Sequence, residues 1–235
     1  MKGRPYGRLF AGLRFPVGDH YTVPVKITGY NGTMSIVEEE LWESLAKLDP
    51  AAACSRCDVS YETLSGNYLV NSFTSQISVS SSKRELLGND HTGHTLLNEL
   101  GSFSRLSILW YLIGCKDIRL ENSLVNPSTL PGGDIFLRGT HVLPLERLGN
   151  RFSSNIPKFH QVGEKLGGTR ADLADAAVQL HPFPKIPVHV LFWEGNEEFP
   201  ANASILFDTT CQFQMPIDII WAIAMLSVEM MIRVD

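Results

Sequence analysis

The clearest pattern in the chain lies in its C-terminal third, where apolar residues fall into three short runs separated by turn signals. Ala176 to His181, Val188 to Trp193 and Ala203 to Phe207 are rich in Val, Leu, Ile and Phe and are bounded by Pro, Gly and Asn. Runs of this length and composition predict core strands. Pro182, Pro184 and Pro187 stiffen the first connection by fixing φ, and the second carries Glu194, Glu197 and Glu198. Both connections are too short for crossovers, so the three runs predict an antiparallel meander. After Pro216, the residues Ile217, Ile220, Trp221, Ala224, Met225, Val228 and Met231 predict a helix to about Arg233 with a very broad apolar surface. Such a surface predicts a core helix packed across the sheet. Its second reading is a contact face for a protein partner. Asp218 and Glu229 interrupt the helix, and its 17 residues from Ile217 to Arg233 are at the short limit for a bilayer span, which argues against a membrane.

Upstream, Val37, Leu41, Leu45 and Leu48 repeat at helical spacing, with Ser35 and Glu38 forming a capping box and Asp49-Pro50 ending the helix. A short helical turn is expected at Ala51 to Cys54. Val59 to Tyr61, Tyr68 to Val70 and Gln76 to Ser80 predict a second antiparallel meander, with Ser65-Gly66-Asn67 as a turn. Residues 81–101 are polar and punctuated by glycine, and read as an insertion or loop. Ser102 to Gly114 predicts a helix that Ser102 caps and Gly114 closes, with Leu106, Leu109, Trp110 and Ile113 buried. A turn at Leu130 to Asp134 leads into a short strand at Ile135 to Leu137. Helices begin near Pro144 and Pro157, the second with Phe159, Val162 and Leu166 inward and Gly167-Gly168 as its stop. Residues 1–32 lack helical periodicity, and Tyr21 to Ile27 is an edge-strand candidate because of Pro24. The expected organisation is an N-terminal extension over 1–32 and a single α+β domain over 33–235. In that domain antiparallel meanders pack against helices, and the C-terminal helix lies over the sheet.

Composition changes this picture little. The 235 residues suffice for one well-buried core, and the balance of 44% hydrophobic and 19% charged residues is that of an ordinary globular protein. A net charge of −5 without any basic stripe argues against a nucleic-acid partner. Four cysteines are too few for a disulfide-stapled secreted scaffold, and glycines and arginines interrupt the N-terminal 18 residues where a signal peptide would need a continuous apolar stretch. The expected location is the cytoplasm.

Candidate chemistry is sparse. Cys54 and Cys57 have the CxxC spacing of a metal-binding or redox pair, but a zinc site takes four ligands, and the other two must come from elsewhere. His91 and His94 are the nearest in sequence, followed by Cys115 and Cys211. No Glu follows His91 in the H-E-x-x-H arrangement, and Gly93 weakens a helix there. His189 lies in the most apolar run and reads as a satisfied core histidine or as one facing the opposite side of the strand, rather than as a ligand. Glu194, Glu197 and Glu198, with Asp208 closing the third run, are candidates for a general base or for cation ligands. The plainer reading of the three glutamates is a hydrated hairpin loop shaped by Gly195 and Asn196. The chain has no dinucleotide fingerprint, P-loop, nucleophile elbow or EF-hand loop, which sets aside the familiar hydride-transfer, phosphoryl-transfer and serine-hydrolase chemistries.

Taken together, the stretch Phe192-Trp193-Glu194-Gly195-Asn196-Glu197-Glu198-Phe199-Pro200, the stretch Ala203-Ser204-Ile205-Leu206-Phe207-Asp208, Leu130 to Asp134 and Leu166-Gly167-Gly168 resemble an uncharacterised prokaryotic family, domain of unknown function 3786. The resemblance covers roughly residues 35 to 232. It implies one domain, and a life in anaerobic bacteria or archaea, where some members are fused to iron–sulfur cluster domains like those of corrinoid proteins. It assigns no catalytic residue and leaves the cofactor unknown. Three functions are therefore carried forward. The first is a non-catalytic accessory or binding module in anaerobic cofactor or iron–sulfur and corrinoid-linked metabolism. The second is a small-molecule enzyme working through the Glu194–Glu198 carboxylates. The third is a metal-binding protein built on Cys54 and Cys57.

Overall fold

The computed structural model describes residues 36–137, 141–153 and 155–235. The expected N-terminal extension, its edge-strand candidate at Tyr21 to Ile27 and the Ser35 cap lie outside the described residues. Helix α1 (Ile36–Leu45) buries Val37, Leu41, Trp42 and Leu45. Asp49-Pro50 does not end this helix but opens the next. The Asp49 carboxylate accepts from the Ala51 and Ala52 amides, and Pro50 takes the first position of α2 (Pro50–Cys57), where its missing N–H costs nothing. The expected short turn at Ala51 to Cys54 is thus a full helix.

Strands β1 (Ser60–Glu62), β2 (Asn67–Ser72), β3 (Ser75–Ser80) and β4 (Glu85–Leu87) form an antiparallel sheet in chain order. Its first three strands follow the alternation in sequence. Leu86 of β4 pairs with Val79 and is buried, so the polar stretch around it hid a strand with one inward side chain. The rest of 81–101 is also ordered. It holds α3 (His91–His94) and a π-helical turn, Thr95–Glu99, that buries Leu96. Gly93 lets α3 sit down on the sheet, because a Cβ there would stand 2.7 Å from Ser75 Oγ and 2.8 Å from Gly88 Cα.

Helix α4 (Gly101–Gly114) buries an almost unbroken run from Phe103 to Leu112, of which the sequence had identified only one stripe. Ser102 does not cap it. Leu100 holds the N-cap position without a side-chain hydrogen bond, since the π turn leads directly into the helix. Gly114 is the last helical residue, and the chain leaves through Cys115 in an extended conformation. The short strand expected at Ile135 to Leu137 is instead a 3-10 turn, Gly133–Leu137, tucked so closely that a Cβ on Gly133 would lie 2.2 Å from Pro127 O. Helices α5 (Leu145–Phe152) and α6 (Ile156–Lys165) follow, with Phe159, Val162 and Leu166 buried as their spacing predicts.

The second sheet has the order β5-β9-β8-β7-β6. Its centre is the expected meander of β7 (Ala176–Phe183), β8 (Ile186–Trp193) and β9 (Asn202–Asp208), and its edges are β5 (Leu124–Val125) and β6 (Thr169–Ala171). The proline-rich link is largely strand. Phe183 pairs with Ile186, so only Pro184 and Lys185 make the turn. The register Val178↔Val190↔Ile205 and Leu180↔Val188↔Phe207 puts these residues, with Ala176, Phe192 and Ala203, on one face, and all nine are buried. Phe159 stacks on Phe192 at 5.3 Å and meets Phe152 edge-on at 5.2 Å, fastening α5 and α6 to this face.

After the short α7 (Cys211–Gln214), helix α8 (Ile217–Arg233) packs on β7 and β8, on α4 and on α5. Every residue from Ile219 to Met231 is buried. The broad apolar surface is therefore interior, and the helix offers no exposed apolar face to the partner expected along it. Glu229 is buried in this helix and paired with Arg147 at 2.8 Å and Arg233 at 3.0 Å, as a buried carboxylate must be. No helix among the described residues is long and apolar enough to cross a membrane. The fold is α+β, two antiparallel sheets with helices, as the sequence predicts. Replacing Phe159 by Ala should cost about 3–5 kcal/mol in urea unfolding at an unchanged denaturant slope. A cost under about 1 kcal/mol would show that the aromatic cluster does not fasten α6 to the sheet.

Candidate functional site

The four candidate acids do not converge. Glu194, Glu197 and Glu198 lie in the loop between β8 and β9, beside Asn202 at the start of β9, whereas Asp208 ends that strand. Six residues of extended chain separate the two ends, about 20 Å. The three glutamates are exposed. The loop is nonetheless fixed. Asn196 Oδ1 accepts from the Glu198 amide at 2.9 Å and the Phe199 amide at 2.8 Å, and the Asn196 amide donates to Phe199 O at 2.8 Å. Asp175 Oδ2 receives the Glu194 amide at 3.0 Å. Gly195 is required where it stands, because a Cβ would meet Ala201 N at 2.7 Å. At the tip, Phe199 is 66% exposed.

Asp208 is buried and wholly engaged. Its carboxylate accepts from the amides of Glu121 (3.3 Å), Asn122 (2.7 Å) and Thr210 (3.0 Å) and from Thr210 Oγ1 (2.6 Å). Burial pushes its pKa up, but the bonds from the Thr210 hydroxyl, the Thr210 amide and the Glu121 and Asn122 amides outweigh that and hold it below the usual carboxylate range. Its role is to anchor the segment leading into β5 and the turn into α7. His189 stands on the less buried face of the second sheet, the second of its two expected placements. Its buried Nδ1 has no hydrogen-bond partner. Burial lowers its pKa, the neighbouring His181 lowers it further, and Asp208 acts in the opposite sense.

His91 and His94 are exposed on α3, while Cys54 and Cys57 are on α2. Among the described residues no three His, Cys, Asp or Glu side chains form a group suited to a metal ion. What the fold does bring together is Cys57 and Cys115, which are 58 residues apart in sequence. The two side chains stand next to one another at the C-terminal ends of α2 and α4, each sulfur on carbonyls of the other's helix. Cys57 Sγ lies 3.6 Å from Tyr111 O and Leu112 O, and Cys115 Sγ lies 3.6 Å from Arg56 O. The Arg56 guanidinium touches Cys57 Sγ at 3.4 Å and caps α4 by donating to Leu112 O and Cys115 O. Tyr111 donates to Cys57 O at 2.6 Å and stacks on Phe183.

Contact with the Cys57 thiol holds Cys115 below the ordinary thiol range despite burial, helped by Tyr111 and the positive charges of Lys185 and Arg56. The same contact drives Cys57 up, and burial adds to it. Cys211, also buried, has no such partner, and desolvation and then Asp208 push it up to about 12. Cys54, the other half of the CxxC motif, is only half buried. Sequence spacing therefore named the wrong partner for Cys57. Its true partner follows a helix, and only the packing of α2 on α4 reveals it.

With this geometry in view, the comparison with known families is decisive on one point. Residues 49–230 match the model of domain of unknown function 3786. The chain belongs to this family. The match runs from the N-cap of α2 through most of α8, so it includes both sheets, the acidic loop and the thiol pair. No curated protein and no solved structure matches the chain. The family brings no assigned activity, and the site must be argued from the residues.

Asp208→Asn should lower stability by about 1–3 kcal/mol at neutral pH, because it sets amide hydrogens against buried donors. Asp208 titrates lower when folded than when unfolded. Its contribution is therefore complete above the unfolded pKa and is lost as pH falls through the folded one. The gap in urea midpoint between wild type and Asp208→Asn should narrow from pH 6 towards pH 3, about the range of the unfolded carboxylate and below. A gap that stays constant would exclude an ionised anchor.

Proposed function

We propose that this member of the family is a non-catalytic accessory module whose described domain presents the loop of Glu194, Glu197, Glu198 and Phe199 to a protein partner. One observation carries the reading. A large aromatic side chain, Phe199, stands 66% exposed at the tip of a loop whose backbone is fixed by Asn196 and Asp175. An exposed aromatic on a rigid loop loses little conformational entropy on docking, which is what an interface anchor requires. The three exposed carboxylates around it favour a basic surface on the partner. The partner expected along α8 is reassigned to this loop, since the interior helix has no apolar face to give.

The family resemblance supplies the setting: anaerobic cofactor chemistry, with an iron–sulfur or corrinoid protein as the partner, in the cytoplasm. Residues 33–235 act as one unit in this reading, and 1–32 as an extension. The enzyme reading loses support because its carboxylates are exposed and separated from Asp208 by the length of the sheet. The Cys54/Cys57 metal reading loses support because Cys57 is engaged by Cys115 and not by His91 or His94.

A photo-cross-linking residue placed at position 199 of the full chain, expressed in its native host, tests this directly. The expected result is cross-linking to one protein species, an iron–sulfur or corrinoid protein, reduced at least several-fold by Glu197→Lys with Glu198→Lys. Leu64, 99% exposed, is the control position. Cross-linking at 199 no stronger or more selective than at 64 would overturn the proposal, and a partner of another class would overturn the metabolic assignment.

A further inference from the structure

We infer that Cys57 and Cys115 form a redox-active dithiol, oxidised reversibly to a disulfide that joins α2 to the end of α4. This is a modification site independent of the acidic loop. Its basis is geometric. Two cysteines from separate helices, both buried, bond to each other's surroundings in a reciprocal way. The Cys57 sulfur lies on carbonyls of the last turn of α4, and the Cys115 sulfur lies on a carbonyl of α2. The pair is held from outside. Arg56 clamps the last carbonyls of α4, and Gln214 pins the residue after Cys115 by accepting from the Lys116 amide at 2.7 Å and donating to Lys116 O at 3.1 Å. Tyr111 is fixed by the Lys185 amide at 3.2 Å and by its own bond to Cys57 O.

The chemistry fits the positions. Both cysteines stand at helix C-termini, where the helix dipole opposes a thiolate. Arg56 offsets this by binding the carbonyls that carry the negative end of the α4 dipole. Cys115 is thus equipped to be the attacking thiolate and Cys57 to be the resolving thiol. The half-buried Arg56 side chain, in contact with Cys57 Sγ, forms part of the cover over the pair, so a small oxidant is the suitable one.

With a hydroperoxide as oxidant, the Cys115 thiolate attacks one peroxide oxygen. An S–O bond forms, the O–O bond breaks, and the leaving oxygen takes a proton, as water when the oxidant is hydrogen peroxide. The Cys57 sulfur then attacks the Cys115 sulfur as it gives up its proton. The S–S bond forms, the S–O bond breaks, and water departs with that proton. Two thiols lose two electrons in all, and hydrogen peroxide becomes two waters. Two equivalents of a low-molecular-weight thiol reverse the oxidation through a mixed disulfide.

The full-length, reduced protein is treated with hydrogen peroxide, and its thiols and cross-linked peptides are followed by mass spectrometry. The expected result is the loss of two of the four thiols of the chain. They should be recovered as a Cys57–Cys115 linked peptide that dithiothreitol releases, formed at least about tenfold faster than Cys211 reacts, as thiolate control of reactivity requires. The rate should rise with pH about a midpoint below the ordinary thiol range, and Arg56→Met should move that midpoint upward. In Cys115→Ser, Cys57 should survive as a thiol. A Cys54–Cys57 disulfide, an unchanged thiol count, or a pH midpoint indifferent to Arg56 would each overturn the inference. The wild-type measurement decides the linkage even if the serine variant does not fold.

Discussion

The constraint on which the structure depends is that α8 is buried on every side. A helix with apolar residues all round cannot rest on a single layer, because some of its surface would remain in water. The chain meets this demand by packing the β7-β8 region of the second sheet, α4 and α5 around it. The same demand falls on α4, whose own burial from Phe103 to Leu112 calls for α1 and α2 beyond it. The order of layers thus follows from two successive helices that cannot face solvent. The one acid in the interior stretch of α8, Glu229, is admitted only with Arg147 and Arg233 beside it.

The two features singled out for function are consequences of this layering. The acidic loop leaves the second sheet at the end away from Asp208, and its glutamates and Phe199 remain in solvent while Asn196 and Asp175 fix its backbone. The thiol pair arises because α2 must cover the end of α4, and the cysteine closing each helix meets the other at the crossing. One feature faces outward and the other inward. They are independent in sequence and in space, and each stands or falls on its own residues.

The meander of β7, β8 and β9 was legible because its strands are buried at most positions, which leaves short runs of Val, Leu, Ile and Phe bounded by turn residues. Helix α8 was legible because Pro216 opens a long segment that is apolar all round. What the sequence concealed was set by tertiary contacts. Leu86 is the single inward side chain of β4, too little signal for a strand. Ile135 to Leu137 are apolar as a strand would be, yet Gly133 packs against Pro127 and Ser128 and turns the chain into a 3-10 coil. Asp49-Pro50 reads equally as the end of one helix and the start of the next, and the two amides that Asp49 receives decide it. Among the candidate residues, Cys57 was visible as half of a CxxC motif and Cys115 only as one of four more distant candidates, since spacing carries no information on contacts between helices. Asp208 carried a recognisable motif whose role turned out to be anchoring.

The central claim is that α8 is the interior element on which the described fold is built. Native-state hydrogen exchange of its backbone amides, compared with the free energy of global unfolding from urea, tests it most directly. The predicted result is that the amides between Ile223 and Met230 exchange only through global unfolding, with protection independent of protein concentration. Exchange through a smaller, local opening, or protection that grows with concentration as a second chain covers the helix, would contradict it.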